Sequence, residues 1–200
     1  MPRLVFRPMF NRVLSVTIWV ALAALAVTAL VVPAAGEAAP GLLVGAASAG
    51  VLVWALLWAP FVAVDDDRVT IANVVVEYRV PWAAVIHVET RYSLLVHTPG
   101  RRISATAAPA PGAMAGVRAA RAHRRSEAAS APGIRPSDLP TTDSGRAADL
   151  VRRRWQEGLR TGRVESGVAG ETPVAVSPRT LSVAAIVAGV AGLVCAALLI

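Results

Sequence analysis

The chain has 200 residues, a formal net charge of +7, and 55% hydrophobic but only 5% aromatic residues. With a mean hydropathy of +0.55, this is the composition of lipid-facing helices plus at most one small domain, and it excludes a large aromatic-rich soluble core. All 20 basic residues are Arg, and the single Cys195 excludes an intramolecular disulfide and any Cys-based metal site.

Residues 1–12 form a basic N-terminus with Arg3, Arg7 and Arg12 and no acid. Residues 13–32 carry no charge. At about 1.5 Å per residue they match the roughly 30 Å of a bilayer core. Arginines, an apolar run and then Pro33–Ala39 also have the outline of a cleavable signal peptide. The run is long for that role, and a second apolar run follows closely, which favours a retained span. That second run is 42–63, with Pro60 as an interfacial kink and Trp54 and Trp58 at aromatic-belt positions. Together 13–63 read as a transmembrane hairpin.

Residues 64–107 read as β structure. Val69 and Ile71, Val76, Tyr78 and Val80, Ile86 and Val88, and Leu94 and Val96 recur at period two, with polar residues between them. Such alternation marks strands with one buried face. Turn chemistry falls at Asp65–Asp67, Asn73, Pro81, Tyr92-Ser93 and Pro99-Gly100. About six short strands fit here, as an antiparallel meander curled into a partial barrel.

Residues 108–142 are rich in Ala, Pro, Gly, Ser and Arg and too poor in large apolar side chains to offset their ordering entropy. They read as a disordered linker, with transient helix around Ala113–Glu127. A helix is predicted over 143–162. Asp143 or Ser144 caps it, and Ala148, Val151, Trp155 and Leu159 recur at helical spacing beside Arg152–Arg154. Gly162 stops it. Residues 163–180 form a second linker, and 181–200 are a third uncharged span. The predicted class is α+β: three transmembrane helices plus a small antiparallel β domain with one C-terminal amphipathic helix.

The Arg distribution sets an expected orientation. Loop 33–41 carries only Glu37, whereas 64–180 carries 17 Arg. Positive segments stay inside, so the N-terminus and 64–180 are expected in the cytoplasm and the C-terminus at the outer face of the plasma membrane. The predicted spans hold no Asp, Glu, His or Arg, which argues against a transporter or channel. Gly41/Gly45/Ala49 and Ala185/Gly189 have the small-xxx-small spacing that lets helices approach, within the chain or as a homo-oligomer.

Val64-Asp65-Asp66, Val69–Asn73, the run Tyr78-Arg79-Val80-Pro81-Trp82-Ala83-Ala84-Val85, Thr98–Arg102 and Ala107–Gly112 carry a family resemblance. Over roughly residues 42–160 the chain resembles the small actinobacterial membrane-anchored PH-domain-containing proteins of the low molecular weight protein antigen 6 type. The resemblance implies a bacterial PH-like fold directly after a membrane hairpin. Phosphoinositide-binding PH domains use basic residues around their first hairpin loop. Here that loop is Asp65-Asp66-Asp67-Arg68, whose carboxylates would repel a phosphate.

No catalytic, cofactor-binding or metal-binding residues are assigned. The Asp triplet reads as a hairpin turn. His87 and His97 read as outward strand residues, and His123 falls in the linker. Gly112–Gly116 lacks the continuation of a phosphate loop. An enzyme is not expected, nor is nucleic-acid binding, because no aromatic residue interleaves with the linker arginines. The expected function is non-catalytic binding of a membrane or cytoplasmic protein at the inner face. The alternative is sensing of anionic lipid headgroups by the clusters Arg101-Arg102, Arg118/Arg121/Arg124/Arg125 and Arg152–Arg154.

Overall fold

The computed structural model describes residues 3–89, 93–109, 143–165 and 167–200. In chain order its elements are β1 (Leu4–Phe6), α1 (Met9–Val31), α2 (Ala39–Val53), β2 (Phe61–Val64), β3 (Arg68–Ala72), β4 (Val76–Pro81), β5 (His87–Glu89), β6 (Ser93–Thr98), β7 (Arg101–Pro109), α3 (Asp143–Arg160), β8 (Ala175–Pro178) and α4 (Thr180–Leu198). The chain divides into a sheet unit, Met1–Pro8 with Phe61–Ser177, and a helical unit, Met9–Pro60 with Pro178–Ile200.

The helical unit holds three helices long and apolar enough to cross a membrane: Met9–Val31, Gly36–Trp58 and Thr180–Leu198. Large side chains such as Val20, Leu30 and Leu181 point outward, as lipid contact requires. Small residues mark where helices meet. A Cβ on Gly41 would lie 2.9 Å from the Ala196 carbonyl oxygen, and one on Gly45 would lie 3.4 Å from the Ala196 Cβ. One on Gly189 would fall 2.6 Å from Leu52 Cγ. The small-residue face of α2 is therefore taken up by α4 of the same chain.

Two span boundaries differ from the sequence expectation. Helix α1 starts at Met9, so Arg12 belongs to the helix. The second span ends at Trp58 after a π-helical turn, Trp54–Trp58, and Phe61–Val64 form strand β2 instead of its last turn. Pro60 supplies the break, because it has no backbone N–H to continue the helix ladder, while Ala59 before it keeps helical angles. Val62 and Val64 then point into the sheet unit's core and are fully buried.

The sheet unit contains a five-stranded sheet, β1-β2-β3-β4-β8, and a three-stranded sheet, β5-β6-β7. The pairs from β1 to β4 and from β5 to β7 are antiparallel, with registers such as Leu4↔Val64, Val64↔Val69, Ile71↔Tyr78 and Val88↔Val96. The core runs from Val62, Ile71 and Val80 through Trp82, Leu94 and Ile103 to Ala147, Ala148 and Val151 of α3. Trp155 and Leu159 pack against it half-buried. Helix α3 ends in a Schellman arrangement: Arg163 N–H donates to the Gly158 carbonyl at 3.0 Å, Gly162 N–H donates to that of Leu159 at 3.2 Å, and Gly162 adopts φ +69°.

Strands β1 and β8 lie in segments expected to be a basic tail and a linker. Both are short and depend on partners distant in sequence. One phase also differs. Ile86, expected inside, is 54% exposed, whereas Val85 is buried. Residues 85 and 86 lie between the 3₁₀ turn Trp82–Ala84 and β5, outside any strand, so no alternation governs them, and Val88 in β5 keeps the expected inward face. Strand β7 runs to Pro109, two residues into the expected linker. The helix expected around Ala113–Glu127, His123 and the Arg118–Arg125 cluster lie outside the described residues.

Candidate interaction surface

The acidic turn between β2 and β3 is built as a scaffold. Asp65 Oδ1 accepts the backbone N–H groups of Asp67 (3.1 Å) and Arg68 (2.8 Å), so its side chain closes the turn. Trp82 clamps the loop from the core side. Its indole N–H donates to the Asp65 carbonyl at 3.1 Å and its backbone N–H to the Asp67 carbonyl at 3.0 Å. Asp66 faces α3 and the segment after it, 3.9 Å from Arg154 and 3.5 Å from Arg163. Among the described residues no group of three His, Cys, Asp or Glu is placed to hold a metal ion.

Asn73, in the turn between β3 and β4, joins the two sheets. Its Nδ2 donates to the Ser104 carbonyl at 2.8 Å, and its Oδ1 accepts from Thr106 N–H at 2.8 Å and Thr106 Oγ1 at 3.0 Å. Two backbone groups of β7, the Ser104 carbonyl and the Thr106 N–H, are thereby satisfied on the side facing β3, where an open edge would otherwise invite pairing.

The outer face of the three-stranded sheet carries the strand histidines. His87 pairs with His97 across the strands, their rings 5.8 Å apart, and His97 Nε2 lies 3.3 Å from Glu89 Oε2. His87 is exposed and His97 half-buried. A depression of about 310 Å³ lies between the β6–β7 hairpin and residues 169–174, with Arg101 and Glu171 as its charged lining.

The arginine clusters of the sequence fare differently. Arg152 Nη2 donates to the Val88 carbonyl of β5 at 3.1 Å, Arg153 pairs with Asp149 at 2.9 Å, and Arg154 with Asp66. Arg152 and Arg154 therefore tie α3 to β5 and to the acidic turn, while Arg153 pairs within its own helix, and the three do not present a continuous basic patch. Arg101 and Arg102 are exposed at the start of β7, beyond a tight turn in which Gly100 takes φ +80°.

A further basic feature comes from the N-terminal arm. Strand β1 extends the sheet alongside β2, and its flanking arginines reach the first residue of β2. The guanidinium carbons of Arg3 and Arg7 lie 5.7 Å and 5.9 Å from the Phe61 ring centroid. In the helical unit the Arg12 guanidinium carbon lies 4.7 Å from the Trp58 ring centroid, and Trp58 packs 5.2 Å from Trp19. Apart from Trp58, whose belt position is legible, the signal available in the sequence is the Arg3–Val5–Arg7 alternation, which places both arginines on one strand face.

Compared with protein-family models, curated proteins and solved structures, the chain matches none.

Proposed function

We propose that this is an integral membrane protein that holds a PH-like, non-catalytic interaction domain at the cytoplasmic face, where it binds a membrane or cytoplasmic protein. The observation that carries this reading is the β1–β2 pairing, Leu4↔Val64 to Phe6↔Val62. It joins the residues before the first membrane helix to those after the second. Both segments must then lie on the same side of the membrane, as a hairpin of two spans requires. The excess of arginine on that side favours the cytoplasm.

The PH-like reading is supported by the six-strand succession β2–β7 in two sheets, followed by α3 with its Ala147–Ala148–Val151 stripe on the core. The non-catalytic reading is supported by the use of the polar groups. Asp65 closes a turn, Asp66 meets Arg154 and Arg163, and Asn73 joins two sheets. What is left for recognition is surface.

Photo-crosslinking from the sheet unit of the full chain in native membranes tests the proposal. A specific protein should be recovered with the natural sequence and lost when residues 64–160 are scrambled. Recovery of the same proteins in both cases, or of none, sinks the reading.

A further inference from the structure

We infer that Arg3, Phe61 and Arg7 form a binding site for the phosphate of an anionic phospholipid headgroup. Both arginines are exposed, and their guanidinium carbons lie within 6 Å of one ring's centroid, in cation–π range. Exposure leaves their N–H groups, the fork that grips phosphate with two hydrogen bonds, open to an anion. Arg68, Arg79, Arg153, Arg154 and Arg163 each have a carboxylate within 4 Å. Among the described residues no carboxylate pairs with Arg3 or Arg7. Two like charges gathered on one ring repel each other, and an anion is the complement that removes the repulsion.

Covalent continuity says where that anion comes from. Arg7 is two residues before the first residue of α1, and Phe61 is three residues beyond Trp58, the end of the second membrane helix. At about 3.3–3.6 Å per residue, neither can stand more than about 10 Å from a span end. The polar headgroup layer occupies roughly the first 5–8 Å beyond the hydrocarbon. Lipid phosphate is thus the anion present at highest local concentration. This inference does not depend on the protein-partner reading, and its test leaves that reading untouched.

The experiment places the full chain in nanodiscs of phosphatidylglycerol and phosphatidylcholine in equal parts and measures co-retained lipid by native mass spectrometry. The natural protein should retain phosphatidylglycerol in preference to phosphatidylcholine. The pair Arg3→Gln/Arg7→Gln should lower that preference about thirtyfold at low salt, from roughly 1 kcal/mol per arginine. Two further variants keep every charge and hence the orientation. Phe61→Leu removes the aromatic ring that gathers the two cations, and Arg3→Lys/Arg7→Lys removes the planar forks. Each should lower the preference about two- to fivefold. Preference unchanged in both charge-conserving variants would overturn the site and leave the arginines as diffuse charge. Equal retention of the two lipids by the natural protein would overturn it as well. If inorganic phosphate, but not chloride at matched ionic strength, abolished the preference, the assignment to lipid would be lost to a soluble anion.

Discussion

The indole N–H of Trp82 and the carbonyl of Asp65 are joined by a 3.1 Å hydrogen bond across seventeen residues of chain. Trp82 is 2% exposed, so this bond lies at the edge of the core, and the Trp82 backbone N–H takes the Asp67 carbonyl as well. One residue thus fixes both ends of the acidic turn, by its indole and its backbone N–H, and its ring fills the space beneath it. The Arg-Val-Pro-Trp-Ala-Ala-Val run has a physical reason in this arrangement. Pro81 ends β4, the 3₁₀ turn swings Trp82 inward, and Ala84 and Val85 follow it into the core.

Replacing Trp82 with Phe keeps most of the apolar volume and removes the indole donor. The Asp65 carbonyl then loses its partner, a cost of about 1–3 kcal/mol, and the smaller ring leaves a void that adds to it. Chemical denaturation of the full chain in detergent should show the sheet unit destabilised by about 2–4 kcal/mol. Hydrogen exchange should rise first at residues 65–68, where the turn is held. Unchanged protection there would show that Asp65 Oδ1 alone suffices to hold the turn.

Asn73 makes three bonds to β7 with one amide. Asn73→Ala removes all three and exposes the side of β7 that the amide had covered. A loss of about 1–2 kcal/mol is expected, since neutral hydrogen bonds contribute near 1 kcal/mol each and water reaches part of this site. Asn73→Asp separates the two halves of the amide. It retains an acceptor for Thr106 and sets a carboxylate against the Ser104 carbonyl, so it should rank between the natural residue and Ala when thermal unfolding is compared. A ranking of Asp below Ala would mean that the carboxylate's repulsion exceeds what the Thr106 bonds restore.

Much of this architecture is legible in the residues. Long uncharged runs read as membrane helices because nothing soluble needs twenty such residues in a row. Val69, Ile71, Val80, Val88, Leu94 and Val96 alternate cleanly and are all buried. The errors have specific causes. Phe61–Val64 is as apolar as the span before it, so only Pro60 distinguishes a buried strand from the last turn of a helix. Val85 and Ile86 are both apolar, and composition cannot say which faces inward where a 3₁₀ turn leaves them outside any strand. Strands β1 and β8 are three and four residues long, too short for a periodic signal, and are created by pairing with distant partners. The Arg3–Phe61–Arg7 cluster was hidden for the same reason: residues 3 and 61 become neighbours only when β1 pairs with β2.

Gly158 lies in the last turn of α3, and a Cβ there would sit 2.5 Å from Val164 Cγ2. Alanine is ordinarily the better helix residue by about 1 kcal/mol. Here Gly158→Ala must push away a buried, β-branched side chain in the turn that carries Arg163 to Asp66. Overpacking of this kind costs about 1–3 kcal/mol, so the net effect on stability should be unfavourable. Trimming the neighbour reverses the sign. In a Val164→Ala background, Gly158→Ala should be neutral or stabilising, and a double-mutant cycle should return a coupling of at least about 1 kcal/mol. Additive effects would show that the helix end relaxes without cost.

Gly189 offers the corresponding test in the helical unit. A Cβ at this position meets the Leu52 side chain at 2.6 Å and the Ser48 backbone oxygen at 3.2 Å. The leucine can rotate away, but the helix backbone cannot. Gly189→Val adds branching at Cβ, so no rotamer avoids α2, and α4 must retreat from it. In a bilayer the close packing of small residues is itself the source of helix association, since lipid satisfies apolar surface as well as protein does. The variant should therefore lose thermal stability in detergent by the equivalent of about 1–3 kcal/mol. Val190 is the control: it is 51% exposed on the same helix, and Val190→Leu should leave the melting temperature unchanged. Equal melting temperatures for Gly189→Val and Val190→Leu would mean that α2 and α4 do not depend on this contact.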